Sequence, residues 1–305
     1  MTPARVFILT LVTMTAFAGN SLLCRLALKQ TSIDAASFTF IRIISGAIAL
    51  WLIAEFRRRL MVDRTSRQGG TLVERSPNSP ATQTGSWPSA LALFAYAAAF
   101  SFAYISLSAG TGALLLFGAV QATMIIWGLR KGEQLRAWQI VGLALALGGL
   151  VVLLFPGLSA PPVAGSILML GAGIAWGVYS LRGKTAGDPV SATAGNFLRA
   201  VPLAAILSVA LLPWANLDRT GIGYAILSGA MASGVGYAIW YTALPSLKAA
   251  SAATVQLSVP VLAAAGGIIF LSEPITLRFL FASVAVLGGI ALVVIEKRRA
   301  LAPVK

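Results

Sequence analysis

The sequence predicts an all-α integral membrane protein of about ten transmembrane helices, arranged as two inverted five-helix repeats. Three observations predict it. The 305 residues are 58% hydrophobic and 10% charged, with mean hydropathy +0.85, whereas a soluble domain of this size carries about 25% charged residues. The apolar residues come in unbroken blocks, and about 20 residues rising 1.5 Å each match the hydrocarbon core of a bilayer. Finally, short motifs of the first half recur in the same order in the second.

The expected spans are 6–28, 35–54, 89–107, 110–129, 137–155, 163–182, 190–212, 221–243, 249–271 and 277–295. They are read as helices because an open strand in lipid leaves backbone groups without partners. The first span imitates a cleaved signal peptide, with Arg5, the apolar run Val6–Val12 and the triplet Ala16-Phe17-Ala18. Its apolar stretch runs on to Leu28 and has a counterpart in the second half, so a retained first helix is the better reading. The third and fourth spans meet around Ala109-Gly110 and must be antiparallel neighbours. One connection is long, from Glu55 to Pro88. It holds Arg57-Arg58-Arg59 and Ser76-Pro77-Asn78-Ser79-Pro80, and residues 55–88 are expected to form a disordered, solvated cytoplasmic loop. Binding of that loop to anionic lipid headgroups is the alternative.

Orientation follows from the basic residues. With the N-terminus cytoplasmic, 17 Lys and Arg fall in inside segments, 4 in outside segments and 2 within spans. This asymmetry puts both termini in the cytoplasm of a multi-pass protein of the inner or plasma membrane. The net charge of +14 is then a topology signal facing the lipid bilayer, and no nucleic-acid partner is expected. Cys24 is the single cysteine and histidine is absent, which excludes an intramolecular disulfide, a Cys/His zinc site and a Ser-His-Asp triad. No catalytic residue, metal or cofactor is expected, and no Gly-x-x-x-x-Gly-Lys-Ser/Thr phosphate loop occurs.

The repeat divides the chain into 1–156 and 157–305. Phe40-Ile41-Arg42 matches Phe197-Leu198-Arg199; Gly19 falls opposite Gly177; Gly132-Glu133 matches Ser272-Glu273; Gly142, Gly148 and Gly149 match Ala282, Gly288 and Gly289. Five crossings are odd, so a second copy following directly crosses in the opposite direction. Inverted repeats of this kind hold substrate sites at their interface near mid-membrane.

With these residues in view, the chain resembles the EamA-type permeases of the drug/metabolite transporter superfamily. The resemblance rests on Ala175-Trp176-Gly177, Phe197-Leu198-Arg199, the run Tyr237–Leu244, Ser258-Val259-Pro260, Leu271-Ser272-Glu273-Pro274 and Leu287-Gly288-Gly289. It covers nearly the whole chain apart from 55–88. It implies two EamA-like five-helix repeats and a central cavity lined by the first, third, fourth, sixth, eighth and ninth helices. It also implies a permease or exporter of metabolites. Two departures stand out: Phe17-Ala18-Gly19 replaces the Trp-Gly often seen in the family, and Gln121 stands where the second half has Pro260.

Within the spans, Arg42 and Arg199 are the most informative residues, since a guanidinium in the bilayer costs about 2.5–3.5 kcal/mol on insertion scales and needs a partner. Each either bonds helix-end carbonyls or snorkels to the interface, or else lines a cavity entrance that attracts anionic groups. Glu133 and Glu273 follow helix ends; Glu273, before Pro274, is expected near the start of the tenth helix, where the helix dipole favours a carboxylate. Asp and Glu are missing from the depth of every span, so proton coupling would need a peripheral carboxylate or the substrate itself. Polar and aromatic residues remain as candidates. Asn20, Gln121, Trp176, Tyr179, Trp240 and Gln256 are the favoured cavity residues, with Tyr96, Tyr104, Asn196, Tyr237 and Tyr241 as further candidates. Packing or an interfacial aromatic belt is the alternative for any one of them. Small residues at four-residue spacing, Ala144 with Gly148 and Ala285 with Gly289, suit close helix approach within the chain or in a homodimer.

The leading functional expectation is a secondary transporter of a small organic metabolite or drug-like solute, working by alternating access as one half rocks against the other. A non-transporting membrane scaffold or receptor and an intramembrane lipid-modifying enzyme are the alternatives.

Overall fold

A computed structural model describes residues 1–67, 85–132, 136–157, 160–183, 188–247 and 255–300. Its helices are α1 (Pro3–Gln30), α2 (Ala35–Arg67), α3 (Trp87–Tyr104), α4 (Ala109–Arg130) and α5 (Ala137–Leu154) in the first half. The second half holds α6 (Val163–Gly183), α7 (Pro189–Ala210), α8, α9 (Ser258–Leu271) and α10 (Leu277–Ala300). The eighth, α8, is composite: an α-helical Arg219–Ile226, a π-helical Leu227–Val235 and an α-helical Gly236–Ala243. Eight of these ten are long and apolar enough to cross a bilayer, and Ser258–Leu271 and Leu277–Val293 are shorter apolar helices. Large apolar side chains such as Phe7, Leu52, Val151, Ile206, Ile269 and Val284 stay exposed on the outside of the bundle, the surface a lipid-facing protein presents.

Local hydrogen bonds set several helix starts. Ser86, Ser108, Asp188 and Asp218 each accept a backbone N–H of the turn that follows, offsetting donors that have no helical acceptor. Gln139 Oε1 accepts from the N–H of Arg136 at 2.9 Å at the start of α5. Asp34 caps α2 by accepting from the N–H groups of Ala36 and Ser37, both at 2.9 Å, and ties it to the α7–α8 connection through the N–H of Asn216 at 3.0 Å.

Two expectations need correction. The segment 55–88 is not disordered from its start: α2 continues through Arg67. Glu55 explains part of this, since it bridges Arg58 and Arg59 at helical spacing. Residues 68–84 of that connection lie outside the described residues. Glu273 does not begin the tenth helix either. That helix starts at Leu277 and is capped by Thr276, whose Oγ1 accepts from Phe279 N–H. The ninth span, expected from 249, is described as a helix from Ser258, and 248–254 lie outside the described residues.

The packing is two-fold in pattern. Helix α5 lies along α10, and α2 along α7. The contact of α3 with α6 is mirrored by α8 with α1, and that of α4 with α6 by α9 with α1. The extensive contacts therefore run between the two halves of the sequence rather than within each. Small residues allow the close crossings. A methyl group on Gly142 would meet the Gly289 carbonyl, and one on Gly149 would meet Ala285. Ala285 and Gly289 thus join α10 to α5, while Ala144 and Gly148 face outward.

Candidate solute-binding site

The centre of the bundle holds a thread of polar side chains drawn from four helices. Ser228 Oγ, on the π-helical part of α8, donates to Asn20 Oδ1 on α1 at 2.6 Å. Asn20 Nδ2 donates to the Tyr96 hydroxyl on α3 at 3.3 Å. Arg42 Nη2, on α2, donates to the same hydroxyl at 3.0 Å. Arg42 is 2% exposed, and its guanidinium carbon lies 4.8 Å from the Phe100 ring centre and 5.3 Å from that of Tyr96. Its Nη1 is buried with no hydrogen-bond partner among the described residues.

Local structure places Ser228 on this thread. The π-helical turn widens α8 beside α2, and Gly229 lies so close that a Cβ there would overlap the Arg42 carbonyl and Ser45 Oγ. A π-segment with glycine at the contact brings the two backbones together and aims Ser228 at α1. Such segments are frequent at functional sites.

Beside the thread lies an aromatic cluster. Trp176 of α6 packs against Tyr96 at 4.8 Å between ring centres, against Tyr179 at 5.3 Å, and stacks on Tyr237 of α8 at 5.3 Å. Phe17 of α1 meets Tyr237 edge-on at 5.6 Å and Trp240 at 6.2 Å. The repeat shows again here: the ring on α6 meets the tyrosine of α3, and the ring on α1 meets that of α8. Trp176 and Phe17 keep partial exposure within this cluster, and the space beside Gly19 is open. Aromatic walls with a few placed polar groups are the composition of small-molecule sites.

The six favoured residues divide. Asn20, Trp176 and Tyr179 meet in this centre, and Trp240 joins through Phe17. Tyr179 also points its hydroxyl to Thr193 at 3.4 Å and accepts from Asn196 Nδ2 at 3.5 Å, which ties it to α7. Gln121 is buried on α4 at a small crevice shared with α5 and α10. Gln256 is half-buried just ahead of α9. The two arginines part company as well: Arg199 Nη1 donates to the Gly195 carbonyl of its own helix at 3.0 Å. Ser228 and Phe17 escaped the sequence reading. A serine next to a glycine gives no signal for a π-segment, and Phe17 stood out only as a departure from the family pattern.

An ion pair lies on the face that holds residues 31–34. Arg25 Nε on α1 donates to Glu273 Oε1 at 3.1 Å, and the side chains are 12% and 8% exposed. Glu273 Oε2 accepts the Ala109 N–H at 2.8 Å, and so serves the start of α4 rather than of α10. Arg25 Nη1 also donates to the Tyr104 and Ile105 carbonyls, both at 2.9 Å, and Lys29 Nζ to that of Leu271 at 3.4 Å. Ser272, in the left-handed conformation with φ 53°, ends α9 and turns Glu273 back toward α4. A cavity of about 210 Å³ lies beside the pair, lined in part by Ser108, Thr111, Glu273 and Phe279.

Known proteins fit this architecture. A family model for EamA-like transporters matches residues 163–295. An uncharacterised protein of Pseudomonas aeruginosa is 54% identical over 293 residues, covering 96% of each chain. The threonine/homoserine exporter RhtA of Escherichia coli is 35% identical over 150 residues, which is 46% of this chain and 49% of that one. A solved crystal structure shares the fold with a TM-score of 0.61 and 16% identity, over 98% of this chain and 100% of the other. The chain belongs to the EamA-like transporter family and is a multi-pass membrane transporter.

Proposed function

We propose that this protein is a secondary permease or exporter that moves a small, amphipathic organic solute by alternating access through the centre between its repeats, 1–156 and 157–305. The observation that carries the reading is the polar thread Ser228–Asn20–Tyr96–Arg42 set against the Trp176 aromatic cluster, built from helices of both halves. It supplies hydrogen-bond partners where lipid supplies none, and rings for an apolar body. RhtA is named as an exporter of threonine and homoserine, which makes polar metabolites of amino-acid size the first solutes to try.

The moving bodies in this reading are groups drawn from both halves, α1 with α8 and α9 against α3 with α4 and α6, because α1 packs along both α8 and α9, and α6 along both α3 and α4. The Arg25–Glu273 pair lies within the first group and reaches the second through Arg25 on the Tyr104 and Ile105 carbonyls and Glu273 on the Ala109 N–H, and so holds that face shut. The protein sits in the inner or plasma membrane with both termini cytoplasmic, so the closed face is the external one. The long basic connection after α2 then faces anionic lipid and cytoplasm.

Counterflow in proteoliposomes tests the reading. Vesicles loaded with one unlabelled solute of a broad metabolite panel should accumulate the labelled form, and Trp176→Ala should abolish this while leaving the protein folded. Failure of every solute in the panel, with correctly inserted protein, refutes it.

A further inference from the structure

Among the described residues Arg42 is a charge without a counter-ion. Its guanidinium is 2% exposed, touches one hydroxyl and two aromatic faces, and leaves Nη1 without an acceptor. Among the described residues no carboxylate pairs with it: Glu273, Asp188 and Glu55 pair instead with Arg25, Arg57, Arg58 and Arg59. The titratable groups nearest it are the phenols of Tyr96 and Tyr237 and the thiol of Cys24, and none of them is a carboxylate. A buried cation left in this state is destabilising unless something anionic visits it.

The repeat supplies the comparison. Duplication placed an arginine at the matching position of α7, and Arg199 settles onto the Gly195 carbonyl of its own helix and keeps partial exposure. A purely structural role is met in that way. Arg42 instead turns inward, onto the hydroxyl that also accepts from Asn20, in the same centre where Trp176 packs against Tyr96.

We propose that Arg42 is the anchor for the carboxylate of the transported solute, which makes that solute an organic acid or amino acid. This rests on the transport reading above. The carboxylate takes the free Nη1 as its charge-assisted donor, with the Tyr96 hydroxyl and the Asn20 amide beside it. A carboxylate matches the planar fork of a guanidinium better than a point charge does, and the pair neutralises itself as the centre closes over it. The apolar remainder of the solute lies along Trp176 and Tyr237, whose stacked rings would part to admit it.

The test is a matched ligand series on the full-length protein. L-threonine and L-phenylalanine are compared with their amides and amino alcohols, by tryptophan fluorescence in detergent and by counterflow in proteoliposomes. All members keep the amine and differ at the carboxylate. The acids should bind about 10–100-fold more tightly than their partners, the range expected when a charge-assisted hydrogen bond is lost. Arg42→Met should erase that preference by weakening the acids at least tenfold more than the alcohols, and Arg42→Lys should retain part of it. Equal binding and transport of acid, amide and alcohol by the wild-type protein overturns the anchor and leaves transport standing. Equal weakening of acid and alcohol by Arg42→Met makes the residue structural and also overturns it. Silence toward these six solutes, with transport of others, overturns the anchor alone; silence toward every solute overturns both readings. The wild-type series decides the matter even if the Arg42 variants do not fold.

Discussion

Replacing Glu273 by glutamine tests whether the ion pair on the 31–34 face is a clasp. The new amide would keep one carbonyl oxygen, able to serve either Arg25 Nε or the Ala109 N–H, and would aim its NH₂ at the other donor. Removing one member of a buried pair costs about 3–5 kcal/mol. Arg25 retains the Tyr104 and Ile105 carbonyls, and both side chains keep slight exposure, 12% and 8%, so the cost falls at or just below the lower end of that range. A loss of about 2–3 kcal/mol, at 1.4 kcal/mol per decade, shifts the closed–open balance of this face by about 30–150-fold. The assay is thiol labelling of a cysteine introduced at Thr111, which lines the neighbouring cavity, with Cys24 replaced by Ser. Labelling should accelerate in Glu273→Gln and in Arg25→Gln. The double variant should add little, since either change already breaks the pair. Unchanged labelling rates, or effects of the two substitutions that add within about 0.5 kcal/mol, would show that the residues do not act as a clasp.

Three further outcomes are expected. Tyr96→Phe removes the hydroxyl on which Asn20 and Arg42 converge and leaves two buried donors unmet at about 1–3 kcal/mol each; a thermal melt should shift down and counterflow should fall, whereas unchanged melting and transport would disprove the thread. Gly229→Ala should destabilise by about 1–3 kcal/mol, because its methyl overlaps the Arg42 carbonyl and Ser45 Oγ; a wild-type melting temperature would contradict the close crossing of α2 and α8. Asp34 supplies a pH dependence. Burial pushes its carboxyl up, but hydrogen bonds from Ser37, Asn216 and Ala36 outweigh this and hold it below the ordinary 3.8. Its contribution is therefore present above the unfolded value and lost as pH falls through the lower folded one. Amide exchange in 31–36 and 211–218 should rise as pH drops below about 4, and Asp34→Asn should flatten that response.

The helices were legible in the sequence because their signal is bulk hydropathy: each apolar block is about as long as the bilayer is thick, and the basic residues mark its ends. The repeat was legible through Arg42 and Arg199, whose chemistry is too costly in lipid to recur by accident. Asn20, Trp176 and Tyr179 could be picked as centre residues because polar and aromatic groups deep in spans are scarce. What stayed hidden depends on tertiary pairing. Glu273 looked like the cap of the helix that follows it, since proximity in sequence was the only guide. In the fold the left-handed Ser272 swings it onto the start of α4, 164 positions away. Arg42 and Arg199 look alike in sequence, and their different partners follow from neighbours on α3 and α8 that no local pattern specifies. The extension of α2 to Arg67 was masked by a composition that reads as loop, although Glu55 and the arginines after it are spaced as helix partners.

One helix joins the centre to the clasp. Phe17, Asn20 and Arg25 all lie on α1, and Asn20 and Arg25 are about 7.5 Å apart along its axis. Asn20 holds α3 through Tyr96 and α8 through Ser228; Arg25 holds α4 and the α9–α10 turn through Glu273. A solute that takes over Tyr96 and Asn20 as partners removes the tie between α1 and α3 at mid-membrane. Ties between the same two groups then remain in the packing of α4 on α9 and at the 31–34 face, where Arg25 bears on Tyr104 and Ile105 and Glu273 on Ala109. Because a helix moves as a rod over so short a distance, a displacement of α1 at Asn20 is felt at Arg25 almost undiminished. In the proposed transport cycle, binding and release of the face are thus one event on α1, and variants at Asn20 should alter thiol labelling at Thr111 even though the two sites share no contact. Labelling at Thr111 that is indifferent to both Asn20→Ala and bound solute would break this link while leaving the clasp itself intact.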